Sequence, residues 1–199
     1  SIRPLVPPES GASLEVAFQE DGGKSFSISA PLPECLPVVR RELADWRNYD
    51  FRKEQNLLIL DSRKDVFPPD PGIKWTGADD LSGKFFFCYD SNAFYVMAEI
   101  RDDEQNNPFS GDQIWRGDSI QLAFDPGNNA VPGRPGYDPD DYEYGASLGS
   151  RFWCWQSPLA PPGAVSGPEH EIRRDGDRTI YRLRFPWSTL APLRPAPGR

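Results

Sequence analysis

The stretch that decides the fold runs from Trp75 to Asp125 and contains three alternating segments, FFFCYD (85–90), AFYVMAEI (93–100) and SIQLAFD (119–125). Alternation of apolar and polar residues with many aromatic side chains is typical of half-buried β-strands. A short Ser-Asn-Ala turn joins the first two segments, and an acidic loop then leads to Trp115, just before the third. Strands with an aromatic residue on the connecting loop are one way to build a ligand platform, so this stretch is central to both fold and function.

The rest of the chain extends the same pattern. LEVAF (14–18) and SFSIS (25–29), separated by Asp-Gly-Gly, predict an N-terminal hairpin. Further strands are predicted at 56–61, 142–148, 152–156, 169–174 and 179–185, with one short helix at 38–46 and a long Gly- and Pro-rich surface loop at 126–141. Evenly spaced short strands with turn clusters between them predict an all-β fold, an antiparallel β-sandwich (immunoglobulin-like or jelly-roll-like) with little helix. We expect residues 1–35 to form an N-terminal extension packed on a sandwich of residues 36–199.

The composition limits the possible partners. The 199 residues can bury a substantial core, and the hydrophobic content of 38% is that of a globular chain. A net charge of −8 with scattered basic residues argues against nucleic acid, because nucleic-acid surfaces need clustered Lys and Arg. No apolar run approaches the roughly 18 residues of a membrane-spanning helix. Cys88 and Cys154 lie within predicted strands and are expected to be buried thiols.

Several segments together carry a family resemblance. They are WTGADDLS (75–82), the strand 94–100 with the following Arg-Asp-Asp, WRGDSIQLAFD (115–125), DDYEYG (140–145) and RFPWSTL (184–190). Over residues 36–190 the chain resembles the family 9 carbohydrate-binding modules and related sandwiches. The resemblance implies a non-catalytic module of a larger secreted bacterial protein, extracellular or periplasmic. Its partners would be a polysaccharide or oligosaccharide and neighbouring domains of the same protein.

The resemblance also implies a site. In the family, the tryptophan at the Trp115 position forms one wall of a sugar clamp, and the side chain at the Gln121 position binds sugar hydroxyls. The predicted carbohydrate-binding residues are Trp115, Asp118, Gln121, Glu143 and Trp155, with Trp153 on the same strand face as Trp155. Two features depart from the family: no arginine lies at about Gly145, and the family's second clamp aromatic comes from a segment that would extend past Arg199.

Acidic side chains in the loops suggest a second kind of site. Resemblance to calcium-containing sandwiches implies a structural calcium ion with Asp102, Asp125 and Asp141 as ligands. Calcium takes six to eight oxygen ligands and accepts carboxylates gathered from loops. The spacing is not that of an EF-hand, and solvated loop acids are the alternative interpretation.

Other functions remain open or are disfavoured. One alternative is a structural sandwich module without a sugar site, packed against a neighbouring enzyme domain. Another is a haem-binding sandwich that uses the single methionine, Met97, and the single histidine, His170. No two carboxylates stand out as a glycosidase pair, and no nucleophile-elbow motif accompanies His170, so we predict that the chain is not an enzyme.

Overall fold

The computed structural model describes residues 13–20, 24–31, 38–65, 74–127, 129 and 136–193. Twelve strands lie in these ranges. They are β1 (Ser13–Glu20), β2 (Lys24–Pro31), β3 (Val39–Arg40), β4 (Leu58–Leu60), β5 (Leu81–Tyr89), β6 (Ala93–Asp102), β7 (Ser119–Phe124), β8 (Tyr142–Ser147), β9 (Trp153–Gln156), β10 (Gly163–Ala164), β11 (Glu169–Asp175) and β12 (Arg178–Pro186). Helical structure in these ranges is confined to 3-10 turns at Phe51–Lys53, Arg63–Asp65, Gly111–Arg116 and Trp187–Thr189. None of the helices described is long and apolar enough to cross a membrane.

Two mainly antiparallel sheets form a β-sandwich, which confirms the predicted fold class. The smaller sheet has the strand order β10-β9-β8-β7, and the larger has the order β11-β12-β6-β5-β3, with β4 also paired to β5. The pairing of β3 with β5 is parallel. The hairpin β1-β2 is a separate two-stranded sheet, and Cα atoms of β1 lie within 8 Å of Cα atoms of β7. The predicted boundary between residues 35 and 36 lies outside the described residues.

Aromatic side chains fill the space between the two sheets. Phe124 from β7 packs edge-to-face on Phe185 from β12, with 5.2 Å between ring centroids. Phe94 from β6 meets Phe124 in the same way at 5.8 Å. Such pairs add to the free energy that burial of each ring contributes. The alternate residues of β7, Ile120, Leu122 and Phe124, all lie in this core.

A second buried layer covers the outer face of the six-stranded sheet. Trp46 and Phe51 pack there against Phe86, Tyr95 and other apolar side chains of β5 and β6. The prediction of a helix at 38–46 is wrong. Val39 and Arg40 pair instead with Cys88 and Tyr89 of β5, and a turn follows at 44–48. Sheet pairing overrides the helical spacing of the apolar residues, and it lets Trp46 and Phe51 reach the sheet.

Three of the tryptophans are packing residues. Trp75 and Trp187 are partly buried against the core between the sheets, and Trp46 is buried in the outer layer. Trp75 Nε1 donates a hydrogen bond to the Leu81 carbonyl at 2.8 Å, and Trp187 Nε1 donates to the Asp90 carbonyl at 3.0 Å. Their polar groups are therefore used within the fold.

Candidate functional site

The outward face of the four-stranded sheet brings together most of the residues predicted to bind carbohydrate. Gln121 of β7 lies opposite Gly145 of β8, and Gly145 lies opposite Trp153 of β9. The pairing of β8 with β9 is irregular between Glu143 and Tyr144, and this leaves Trp155 as an extra residue in β9. Gln121, Glu143, Gly145, Trp153 and Trp155 are called the tryptophan face below.

Trp155 lies directly on Gly145. A Cβ atom at position 145 would come closer than 3.0 Å to the indole carbons Cη2 and Cζ3 of Trp155. The family resemblance implies an arginine at about this position. The indole of Trp155 lies so close to Gly145 that a side chain at position 145 would meet it.

A 3-10 turn, Gly111–Arg116, packs on the tryptophan face and is called the Trp115 turn. Ile114 is 1% exposed, and its Cδ1 would lie 3.0 Å from a Cβ at Gly145. Trp155 Nε1 donates a hydrogen bond to the Asp112 carbonyl at 3.1 Å. A 3-10 turn has three residues per turn, so with Ile114 directed into the sheet, Trp115 is directed away from it. Trp115 is 38% exposed.

Asp118 lies apart from the tryptophan face and holds the loop that precedes the Trp115 turn. Its Oδ2 accepts a hydrogen bond from the Asn106 backbone N–H at 2.7 Å, and its own N–H donates to the Asn106 carbonyl at 2.9 Å. Asn107 Nδ2 donates to the Asp118 carbonyl at 2.8 Å and to Ser147 Oγ at 2.6 Å. These contacts join Asp118 to Asn106 and Asn107 of the loop that precedes the Trp115 turn.

Asp102 and Asp118 form a partly buried pair of carboxyl groups. Burial, together with the smaller effect of the neighbouring charge of Asp118, raises the pKa of Asp102 to about 7. Burial also raises the pKa of Asp118 to about 6, against the opposing effects of the Asn106 N–H and the Arg174 guanidinium. The two carboxyl groups therefore titrate near neutral pH, and they titrate as a pair because their charges interact.

A group of three carboxylates lies at the other end of β7 and β8. One oxygen each from Asp125, Asp140 and Asp141 lies within 4.8 Å of the others. Of the three metal ligands predicted from the sequence, the structure brings together Asp125 and Asp141, adds Asp140, and places Asp102 beside Asp118 instead. Burial raises the pKa of Asp141, and the charges of Asp125, Asp140 and Asp138 act in the same direction.

Met97 and His170 do not form a haem site. Met97 is paired with Arg182 and is buried in the layer outside the six-stranded sheet. His170 is paired with Leu183, which lies in the core between the sheets, and the His170 ring contacts Phe152 of that core. The two side chains therefore project from opposite faces of one sheet. They cannot coordinate a single iron.

Two residues of the site were not among the predicted site residues, although the sequence carried a signal for each. Trp153 alternates with Trp155 along β9, and its buried Nε1 has no hydrogen-bond partner among the described residues. Asp140 precedes Asp141 in the DDYEYG segment. The pairing of Phe124 with Tyr142 is what brings the Asp140 carboxylate to the end of β7.

Residues 71–153 match the family described as carbohydrate family 9 binding domain-like, less than half of the 199-residue chain. Two solved structures of a family 9 carbohydrate-binding module from Caldicellulosiruptor kristjanssonii are similar at 18% identity. For the complex with glucose the TM-score is 0.43, and the match covers 58% of this chain and 52% of the solved module. For the complex with cellotriose the TM-score is 0.47, with 75% and 63% covered. The chain thus spans less than two thirds of either solved module.

Comparison with curated proteins gives no match. The matched range includes the segments at 75–82, 94–100, 115–125 and 140–145, while the segment at 184–190 lies beyond it. Residues 71–153 are thus like the family 9 carbohydrate-binding domains, which confirms the resemblance found in the sequence motifs.

Proposed function

We propose that this chain is a non-catalytic carbohydrate-binding module that binds a polysaccharide, or the ends of its chains, at the tryptophan face and Trp115. The observation that carries the proposal is the placement of an exposed Trp115 on a turn that packs on this face. Gln121, Glu143 and two further indoles lie on the face itself. The family match over residues 71–153 supports the same function.

The chemistry of this surface suits a sugar. The C–H groups on one side of a pyranose ring pack on an indole, while its hydroxyls need donors and acceptors around the edge. Gln121 offers an amide that both donates and accepts, and Glu143 offers a carboxylate that accepts from hydroxyls. Asp118 contributes by fixing the loop in front of Trp115, through its hydrogen bonds to Asn106.

We further infer that the chain is part of a larger secreted bacterial protein and that it holds neighbouring domains near polysaccharide. The support is the family resemblance, since modules of this family are usually appendages of polysaccharide-degrading enzymes. Catalysis is assigned to those neighbours. On this chain the carboxyl pair with raised pKa values, Asp102 and Asp118, is engaged in holding a loop.

The test is calorimetric titration of the purified chain with glucose, cellotriose and a panel of glucan, xylan and mannan oligosaccharides. The matching insoluble polymers are assayed by depletion. Trp115→Ala should weaken binding about 10- to 100-fold, since loss of an indole contact costs about 1.5–3 kcal/mol and each 1.4 kcal/mol is tenfold. Ile59→Ala is the matched control, because Ile59 is 51% exposed on β4 of the other sheet and should leave the affinity unchanged.

A second candidate, the structural module without a sugar site, is favoured by one observation. Trp155 fills the space over Gly145, and the family resemblance implies an arginine at about this position. If the folded protein binds no glycan of the panel, the structural module becomes the better proposal. Unchanged affinity in Trp115→Ala, as in the control Ile59→Ala, would place the sugar elsewhere on the surface.

A further inference from the structure

The tryptophan face continues along β8 beyond Gly145. Glu143 lies two residues from Gly145 along the strand, and its partner across the ladder is Gln156 of β9. Two residues of a strand span about 6.6 Å, so Glu143 and Gln156 form a second row of side chains beside the first row, which contains Gly145. Glu143 alternates with the core residues Tyr142 and Tyr144, so it points outward, and Gln156 opposite it points the same way. Both side chains of the second row are partly exposed.

A second exposed aromatic side chain lies past this second row. Tyr137 is 48% exposed. It precedes Asp138, whose carbonyl accepts a long hydrogen bond from Gln156 Nε2 at 3.5 Å and a shorter one from the Asp141 N–H at 3.0 Å. The bond from Gln156 ties the backbone next to Tyr137 to an outward-pointing side chain of the second row. The loop at Tyr137 therefore meets the tryptophan face at the margin beyond the second row.

Trp115 and Tyr137 thus lie at two margins of one surface. The Trp115 turn packs on the first row, where Ile114 faces Gly145, and the second row separates this turn from Tyr137. Of the phenylalanine, tyrosine and tryptophan side chains that the structure describes, Trp115 and Tyr137 are the two that are exposed rather than partly or fully buried. Their rings are therefore open to solvent at separate points of the same surface.

The groups between the two rings suit the hydroxyls of a sugar chain. Glu143 supplies a carboxylate that accepts hydrogen bonds, and Gln156 supplies a carboxamide that both donates and accepts. An indole or a phenol ring offers an apolar face to the C–H groups of one sugar residue. One terminal sugar would use one of the two rings, whereas a ligand that contacts both rings and the row between them needs several linked sugar residues.

We propose that this surface binds an interior segment of a polysaccharide chain, which runs from Trp115 over Trp155 and the second row to Tyr137. The inference rests on the proposed function, because it names the ligand of the same site. Trp115 and Tyr137 are both exposed on connecting segments at the margins of the sheet face, so the chain can continue past each of them. A site for chain ends would instead stop the chain at one of these margins.

The first test is calorimetric titration of the purified chain with cello-, xylo- and manno-oligosaccharides, each from the disaccharide to the hexasaccharide. In the series that binds, affinity should rise about 10- to 100-fold with length, because the longer ligand adds a ring contact and hydrogen bonds. Tyr137→Ala should weaken binding of the hexasaccharide about 3- to 10-fold and leave the disaccharide unchanged. Tyr137→Phe keeps the ring and is the matched control, with wild-type affinity expected at every length. Trp115→Ala should weaken binding at every length.

The second test counts protein molecules on a long soluble polysaccharide of the same series and of known molar mass. Binding to chain interiors should place many protein molecules on each polysaccharide chain, whereas binding to chain ends allows one at each end. Stoichiometry limited to the chain ends would overturn the proposal and leave the proposed function standing. Two other results would do the same: an affinity already complete with the disaccharide, or an unchanged hexasaccharide affinity in Tyr137→Ala. If the folded protein binds none of these saccharides, the proposed function itself fails, and this inference fails with it.

Discussion

The close packing of Trp155 on Gly145 makes a quantitative prediction about stability. In Gly145→Ala, the new methyl group would lie closer than 3.0 Å to two indole carbons of Trp155 and 3.0 Å from Ile114 Cδ1. The indole must recede by more than about half an ångström to restore van der Waals contact near 3.5 Å. Its Nε1 hydrogen bond to Asp112, now 3.1 Å, lengthens as it moves.

Two opposing effects decide the size of the change. Overpacking of this kind costs about 1–3 kcal/mol, and a weakened hydrogen bond adds up to about 1 kcal/mol. Replacing glycine by alanine in a strand stabilises the fold by about 0.5–1 kcal/mol, because alanine loses less conformational entropy on folding. We therefore expect Gly145→Ala to lower the free energy of unfolding by about 1–2 kcal/mol.

The assay is urea unfolding of a double-mutant cycle with Trp155→Ala. Without the indole, only the 3.0 Å contact with Ile114 Cδ1 opposes the entropic gain, so Gly145→Ala should be neutral in the Trp155→Ala protein or stabilise it by up to about 1 kcal/mol. Gly163→Ala in β10 is the matched control, because a Cβ at this glycine meets nothing within 4 Å and the change should be neutral or stabilising. If Gly145→Ala has the same effect with and without Trp155, the argument that the indole excludes a side chain at position 145 is wrong.

Two further predictions concern titration and reactivity. Because burial raises the pKa values of Asp102 to about 7 and Asp118 to about 6, the folded protein holds protons that the unfolded chain releases. The stabilisation from the pair is present at low pH and is lost as pH rises through about 6 to 7. Burial lowers the pKa of His170, so this residue contributes stability that increases as pH rises. Relative to the wild type, Asp118→Asn should therefore gain stability as pH rises from 5 to 8, and identical Tm profiles for the two proteins would contradict this. Burial raises the pKa of Cys88 to about 12 and of Cys154 to about 11, so peptide mapping after iodoacetamide should find both thiols unlabelled in the native protein and labelled in urea.

The sandwich could be predicted from the sequence because its strands alternate or carry dense apolar runs. The segments at 85–90, 93–100 and 119–125 became β5, β6 and β7, with boundaries that shift by at most four residues. The very short strands β3 and β10 were missed, because two residues carry no period. They are defined by the neighbours that they pair with.

The sequence predicted which face of the sheet carries the candidate site, but it did not predict how the side chains pack on that face. Alternation correctly placed Gln121 away from the core, and it placed Trp153 and Trp155 together. It could not show that Trp155 would rest on Gly145, because that contact depends on the irregular pairing of β8 with β9. Asp118 was predicted to take part through hydrogen bonds or by orienting its neighbours, and in the structure it accepts a hydrogen bond from Asn106 in the loop that precedes Trp115.

The acidic group illustrates a similar limit. Sequence spacing offered many loop carboxylates as ligands, with nothing to decide among them. Asp140, and not Asp102, lies beside Asp125 and Asp141 because β7 pairs with β8, and this pairing is a tertiary property.

The two sheets differ in how they would tolerate change. Every residue of β6 from Ala93 to Ile100 is buried, because one layer of side chains lies between the sheets and another lies beneath Trp46 and Phe51. In β7, burial alternates from Ile120 to Phe124. A saturation scan should accordingly find β6 intolerant at consecutive positions and β7 intolerant at every second one. New ligand specificities would then be sought by randomising the outward positions of β7, β8 and β9 while β6 is left unchanged as the scaffold.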